Sequence, residues 1–229
     1  MNYCTDYITH YKLDAEHFDY FDNPDPAGRA YDNLFRKFIL KLAGKPKSVL
    51  DIGSGGGWTS TIPHEQILFV DLSLNNLAKL KSDFSAPVMA DAHFLPFKNE
   101  SQEFVIVSEI LEHLNSPQAA AKEILRVLKP GGKAIVSTPY KENIRYTLCI
   151  HCNQPTPMNA HLHSFDRETL LSFFPSAKTS VYLFGSKVLT VIRAASLFEK
   201  LPLWVWRMVN YPLLKLVDKA QHIIIVLEK

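Results

Sequence analysis

Val49-Leu50-Asp51-Ile52-Gly53-Ser54-Gly55-Gly56-Gly57 is a strand that runs into a tight glycine turn and on toward a helix. Glycine lets the backbone take positive φ and lets a ligand rest against bare amide groups, and a following helix start favours an anionic group. Twenty residues beyond Asp51, a second aliphatic run ends in Asp71 (Val70-Asp71-Leu72-Ser73), where an acidic side chain can accept hydrogen bonds from a ribose diol. The pair points to a nucleotide-type pocket more strongly than a glycine loop alone.

Outward from this turn, short aliphatic runs alternate with helix-period segments, the pattern of a mostly parallel sheet covered on both faces. Strands are predicted at 48–52, 67–70, 87–90, 103–108 and 133–138, with helices at 75–83 and 117–128. Ser116-Pro117 is a helix start and Pro130-Gly131-Gly132 a stop. Tyr31–Leu42 reads as an amphipathic helix ahead of the core. After the fifth strand come a loop over 139–165, a helix at 166–174, a strand near 178–184, an apolar helical stretch at 186–219 and a strand at 221–227. Only nine residues, 58–66, separate the glycine turn from the second strand, and Pro63 is among them. The first crossover helix should therefore be about one turn short, leaving that side of the pocket open or covered by the N-terminal segment.

At 229 residues, one core plus an elaboration is expected. Hydrophobic residues at 47% and charged residues at 21% suit a globular chain. The net charge of +2 lacks the dense positive field of a nucleic-acid binder, so no nucleic-acid partner is expected. Three cysteines are too few for a disulfide framework, and no export signal opens the chain. A cytoplasmic location is the expectation.

A dinucleotide fingerprint needs a third glycine where Trp58 stands, which weakens the NAD(P)-dependent oxidoreductase reading. Asp51-x-Gly53-x-Gly55-x-Gly57 instead resembles the first motif of class I S-adenosylmethionine (SAM) dependent methyltransferases. Val70–Ser73 resembles the second motif, Ala90–Phe97 the third, Phe104–Leu114 the fourth and Leu125–Gly132 the lead into strand five. The resemblance implies an α/β fold with a Rossmann-like seven-stranded, mostly parallel sheet, order 3-2-1-4-5-7-6, the last strand antiparallel. It implies a SAM-binding core at 45–139 in a single domain spanning 1–229. It places the methionine end of SAM beside Asp51, Gly53 and Gly55, with Ser54 and Gly57 in the same turn. Asp71 would take the ribose hydroxyls, Leu72 the adenine face, Asp91 and Ala92 the adenine edge, and Ser108 with Glu109 the methionine end. The implied activity is methyl transfer by direct displacement to a small-molecule or lipid-like acceptor. A SAM-binding protein without transferase activity stays open beside it.

Cys149, Cys152, His161 and His163 in the 140–165 loop could form a structural zinc site, although C-x2-C-x8-H-x-H is not the common finger spacing. His161 and His163 are also the general-base candidates, since related enzymes carry a histidine near the acceptor here. Glu112-His113 is read as structural. Residues 1–44, with Tyr3, Tyr7, Tyr11, Phe18, Tyr20 and Phe21, are expected to form a cap or lid. The 185–220 insertion between the last two strands carries Lys187, Arg193, Lys200, Arg207, Lys215 and Lys219 against Glu199 and Asp218. Its helix should turn Val205, Trp206, Val209, Leu213, Leu216 and Val217 to one face, with Pro212 splitting or kinking it. Core packing, a homodimer contact and a membrane-surface contact are all compatible with that pattern.

Overall fold

The computed structural model describes residues 7–17, 25–82, 85–149, 153–217 and 219–229. Two helices, α1 (Tyr7–His17) and α2 (Pro26–Ala43), precede β1 (Ser48–Ile52), β2 (Gln66–Asp71), α3 (Leu74–Lys79), β3 (Ser85–Met89), β4 (Gln102–Ser108), α4 (Pro117–Val127) and β5 (Leu128–Pro139). A small hairpin follows, β6 (Tyr146–Leu148) with β7 (Pro155–Pro157). The chain continues through α5 (Arg167–Ser172), β8 (Lys178–Ser186), α6 (Lys187–Val191), α7 (Ala195–Phe198), α8 (Leu203–Val217) and β9 (Ala220–Glu228).

The central sheet has seven strands in the order β3-β2-β1-β4-β5-β9-β8. Counting only its own strands, this is 3-2-1-4-5-7-6. β9 runs antiparallel to both β5 and β8, and the pairings among β1 to β5 are parallel. The expected fold is present, and the hairpin β6-β7, hidden in what reads as a loop, is the departure.

Alternation along the strands divides the core between the two sheet faces. Leu50, Ile52, Val105, Val107, Ala134 and Val136 pack against α4 residues Ala120, Ala121 and Ile124. Val49, Phe104, Ile106 and Ile135 point the other way, to a cluster that holds α2 and Trp206 of α8. α2 starts five residues earlier than its periodicity suggests because Asp25 caps it, accepting from Gly28 N at 2.9 Å, with Pro26 in the first turn. It buries Ala30, Leu34, Phe35, Phe38 and Ile39, spaced at three and four residues, and stacks Phe35 and Phe38 on Phe184 of β8 at 5.5 and 5.2 Å.

Two expectations change. The first crossover shrinks to one 3-10 turn at Trp58–Thr61, since nine residues with Pro63 leave no room for an α-helix. α8 runs unbroken through Pro212, and the residues it buries are Trp206, Asn210 and Leu214. Asn210 fixes that face: its Oδ1 accepts Ser186 N at 2.7 Å, a buried hydrogen bond that the apolar pattern does not reveal. Val209 and Leu216 consequently face outward, Leu216 at 80% exposure. Val217 and Asp218 have side chains outside the described residues.

Candidate active site

A cavity of about 880 Å³ opens at the C-terminal ends of β1, β2 and β4. Ligands bind at this edge in open α/β sheets. Its floor is the glycine turn. Gly53 N and Ser54 N donate to Val70 O at 2.7 and 3.0 Å, locking the turn onto β2. Gly53 has φ 73°, and a Cβ there would meet Ile110 Cδ1 at 2.1 Å, so only glycine fits. At Gly55 a Cβ would meet nothing within 4 Å: it would enter the cavity.

Asp71 Oδ2 accepts Gly55 N at 2.8 Å and Oδ1 accepts Ser73 N at 2.8 Å. Burial raises its pKa, partly offset by those bonds. Asp91 Oδ1 takes both the amide of His93, at 2.9 Å, and its Nδ1, at 2.6 Å. Gly53, Ser54, Gly55, Asp71, Leu72, Asp91, Ala92, Ser108 and Glu109 line the cavity together. Asp51 and Gly57 do not. Asp51 is 2% exposed and its Oδ2 accepts Thr59 Oγ1 at 2.5 Å; burial pushes its pKa up to about 7. Gly57, at φ 64°, caps the 3-10 turn, and a Cβ there would strike Leu80 at 2.2 Å.

Glu109 sits at φ 56°, a strained left-handed conformation for a residue with a side chain. Its Oε2 lies 3.2 Å from His222 Nε2 on β9, and His222 Nδ1 lies 2.8 Å from the Tyr31 hydroxyl on α2. Burial alone would raise the Glu109 pKa, but the charge and hydrogen bond of His222 outweigh it and the net shift is downward. Tyr31 fits only because Gly185 lacks a side chain: a Cβ there would reach the hydroxyl at 2.1 Å. Glu109 Oε1 and Ser54 Oγ are buried without a hydrogen-bond partner. Sequence reasoning passed over His222 and Tyr31, which lie in segments that read as an ordinary strand and helix.

The opposite wall combines His10 and Tyr11 of α1, Asp32, Phe35 and Arg36 of α2, Trp58, and His113, Leu114, Pro157, Asn159, Ala160 and His161. The N-terminal helices thus cover the side that the short crossover leaves bare. Arg36 lies over the Trp58 ring, 5.8 Å from its centroid. Tyr11 OH hydrogen-bonds His113 Nδ1. Tyr3, Phe18, Tyr20 and Phe21 lie outside the described residues, as does the Tyr7 side chain.

Of the four zinc candidates, Cys152 lies outside the described residues, and Cys149 ends the β6 side of the hairpin, its backbone N donating to Gln154 O at 3.0 Å. His163 does not line the cavity and donates its Nε2 proton to Leu114 O at 2.9 Å. His161 lines the cavity with its Nδ1 on Glu142 Oε2 at 2.5 Å. Among the described residues, Cys149, His161 and His163 are not brought together as a ligand set. His161 clusters instead with Glu112 and His113, the pair read as structural from the sequence. His113 meets His161 edge to face, ring centroids 4.6 Å apart. Burial, with the charge of His161, pulls its pKa down to about 4.

Fold and cavity define a Rossmann-like methyltransferase architecture. Residues 50–136 match the family model for the methyltransferase domain, and in fold the chain is similar to SAM-dependent methyltransferases. The chain is similar to a ubiquinone/menaquinone biosynthesis C-methyltransferase of Desulfotalea psychrophila, 31% identical over 128 residues, 50% of this chain and 52% of that protein. It is similar to a malonyl-acyl-carrier-protein O-methyltransferase of a Marinomonas species, 36% identical over 132 residues, 50% of this chain and 49% of that one. The chain spans about half the length of these curated relatives. Among solved structures, a SAM-dependent methyltransferase from Archaeoglobus fulgidus shares the fold at TM-score 0.60 and 18% identity, covering 96% of this chain and all of that one. A 4+2 cyclase shares it at TM-score 0.58 and 17% identity over 86% of this chain and 81% of that one.

Proposed function

We propose that the chain transfers the sulfonium methyl of SAM by direct displacement to a small, lipid-like acceptor. The observation that carries this is the cavity itself, whose floor assembles nine of the eleven residues expected to hold the cofactor, with buried unpaired acceptors at Glu109 and Ser54. SAM supplies an electrophilic methyl group, so alignment and proton removal are what remain for the protein. In this reading Asp71 takes the ribose hydroxyls, Leu72 the adenine face, and Asp91 with the Ala92 backbone the adenine edge. Gly53, Ser54, Gly55, Ser108 and Glu109 surround the methionine end. Asp51 and Gly57 support the turn from behind rather than touching ligand.

The acceptor end is the Tyr11, His113, Leu114, Pro157 and His161 side. Donation of Nδ1–H to Glu142 leaves His161 Nε2 with its lone pair, and an acceptor proton is taken at this edge. His163 serves the backbone. A lipid-like acceptor is supported by similar proteins named as a ubiquinone/menaquinone biosynthesis C-methyltransferase and a 2-methyl-6-phytyl-1,4-hydroquinone methyltransferase. The outward face of the 185–220 insertion, with Trp204, Met208 and Leu216 exposed beside Lys200 and Lys215, supports a membrane-surface approach over a homodimer. No helix among the described residues is long and apolar enough to cross a membrane.

Calorimetry of the purified chain with SAM and with NAD, followed by S-adenosylhomocysteine release across a panel of prenylated quinols, phenols and acyl thioesters, tests the reading. Binding of SAM with turnover of one acceptor class supports it. NAD binding without SAM binding overturns it. SAM binding with no turnover favours a cofactor-binding protein without transfer, a reading kept alive by the 4+2 cyclase of the same fold.

A further inference from the structure

Glu112 presents a contradiction. It is 1% exposed, in the short 3-10 turn Leu111–His113 after β4, yet neither carboxylate oxygen has a hydrogen-bond partner. A buried carboxylate needs a proton, a donor or a cation. The facing group is His113, whose Nε2 stands 3.9 Å from Glu112 Oε1, too far for a hydrogen bond. One ligand atom each from Glu112, His113 and His161 lie within 4.8 Å of one another.

The surroundings are those of a ligand set. His161 holds its Nδ1 on Glu142, and His113 holds its Nδ1 3.3 Å from Ala160 O, with Tyr11 OH on the same nitrogen. Imidazoles bound to metals nearly always donate their second nitrogen to a carboxylate or carbonyl in this way. Backbone geometry enforces the approach. Glu112 O accepts Leu162 N at 2.7 Å and His163 N at 3.1 Å, so the segment carrying His161 is pinned to the turn carrying Glu112 and His113. Asn159 and Ala160, both left-handed at φ 59° and 53°, aim His161 inward. Three carboxyl groups, of Glu109, Glu112 and Glu142, lie around these two imidazoles.

We propose that Glu112, His113 and His161 bind a first-row divalent transition-metal cation at the acceptor end of the cavity. Two imidazoles and one carboxylate on one side of an ion are a set that leaves open coordination positions. These positions face the cavity, since His113 and His161 line it. The cation's use rests on the methyl-transfer reading, with His161 Nε2 then a ligand in place of a base: an acceptor hydroxyl bound to the cation loses its proton to solvent, keeps its electron pair on oxygen, and forms the new O–C bond as the C–S bond breaks toward sulfur. Its binding does not rest on that reading. The ligands differ from the Cys149, Cys152, His161 and His163 set, sharing only His161.

The test is a titration of the full chain, stripped with chelator, with Co²⁺, followed by visible d–d absorption and by calorimetry with Co²⁺ and Mn²⁺. One equivalent per chain is expected. Glu112→Gln and His161→Ala should each weaken it tenfold or more, and Glu142→Gln, a partly exposed position, about tenfold through His161. A Cys149→Ser, Cys152→Ser double variant should bind as the parent does. No saturable binding, or binding that survives Glu112→Gln and Glu142→Gln in folded protein, overturns the proposal. Because the readout is cation binding and not turnover, either result leaves the methyl-transfer reading to its own test.

Discussion

Glu109 and His222 meet across 3.2 Å, joining the end of β4 to the antiparallel strand β9 that completes the sheet. They are 113 positions apart in the chain, and the contact holds a strained residue at the cavity in one orientation. Charged hydrogen bonds of this kind are worth about 1.5–3 kcal/mol. His222→Ala should therefore weaken SAM binding by roughly tenfold or more while leaving the sheet folded. Calorimetry alongside a thermal melt decides this: unchanged SAM affinity in a folded variant removes Glu109 from the binding site.

Gly53 and Gly55 should fail differently when replaced by alanine. Gly53→Ala drives a Cβ into Ile110 at positive φ and should cost about 1–3 kcal/mol of stability. Gly55→Ala takes the left-handed strain of φ 47° but meets no neighbour within 4 Å, so it should lose less stability than Gly53→Ala and show an added penalty in SAM affinity. Urea denaturation and calorimetry on both variants give the comparison. If Gly55→Ala binds SAM as the parent does, the cofactor does not lie against that amide.

Asp51 predicts a pH dependence of stability. Its native pKa of about 7 lies above the ordinary value of 3.8, so between about pH 4 and 7 the native state holds a proton that the unfolded chain has released. Stability must fall as pH rises through that window and level off above 7. The full change is a few kcal/mol. Asp51→Asn keeps an acceptor for Thr59 and should flatten the slope, being more stable than the parent at pH 8 and similar near pH 3.5. Denaturation midpoints that move in parallel for both proteins would count against the buried protonated carboxyl.

Trp204, at 60% exposure, and Met208, at 66%, lie on the outward face of α8 beside Arg207 and Lys215. The double variant Trp204→Ser, Met208→Ser should lose sedimentation with vesicles of mixed phosphatidylcholine and phosphatidylglycerol while keeping SAM affinity. Sedimentation equal to the parent's shows that this face is not the lipid contact. A parent that elutes as a dimer while the variant elutes as a monomer assigns the face to self-association instead.

Sequence carried the sheet well because its cues are local. Val49–Gly57 and Ser116-Pro117 each announce an element by composition within a few residues, and the β1 and α4 starts fall at the expected positions. The glycine-turn side of the cavity was legible for the same reason: glycines and acids at strand ends leave marks. The side lined by His113 and His161 was not. Glu112-His113 carries the same letters whether it packs or binds, and only the backbone bonds from Leu162 and His163 reveal what it faces. Asn210 gave no sign that it would fix the rotation of α8, since one long-range hydrogen bond overrides an apolar pattern spread over the whole helix.

Tyr31, Glu109 and His222 tie α2, β4 and β9 into one wall of the cavity. A chain growing from its N-terminus makes α2 early, yet that helix has no His222 to hold until nearly two hundred further residues have been translated. Half-made protein therefore has the glycine turn but no finished pocket. That wall of the cavity is made only once His222 has joined the chain.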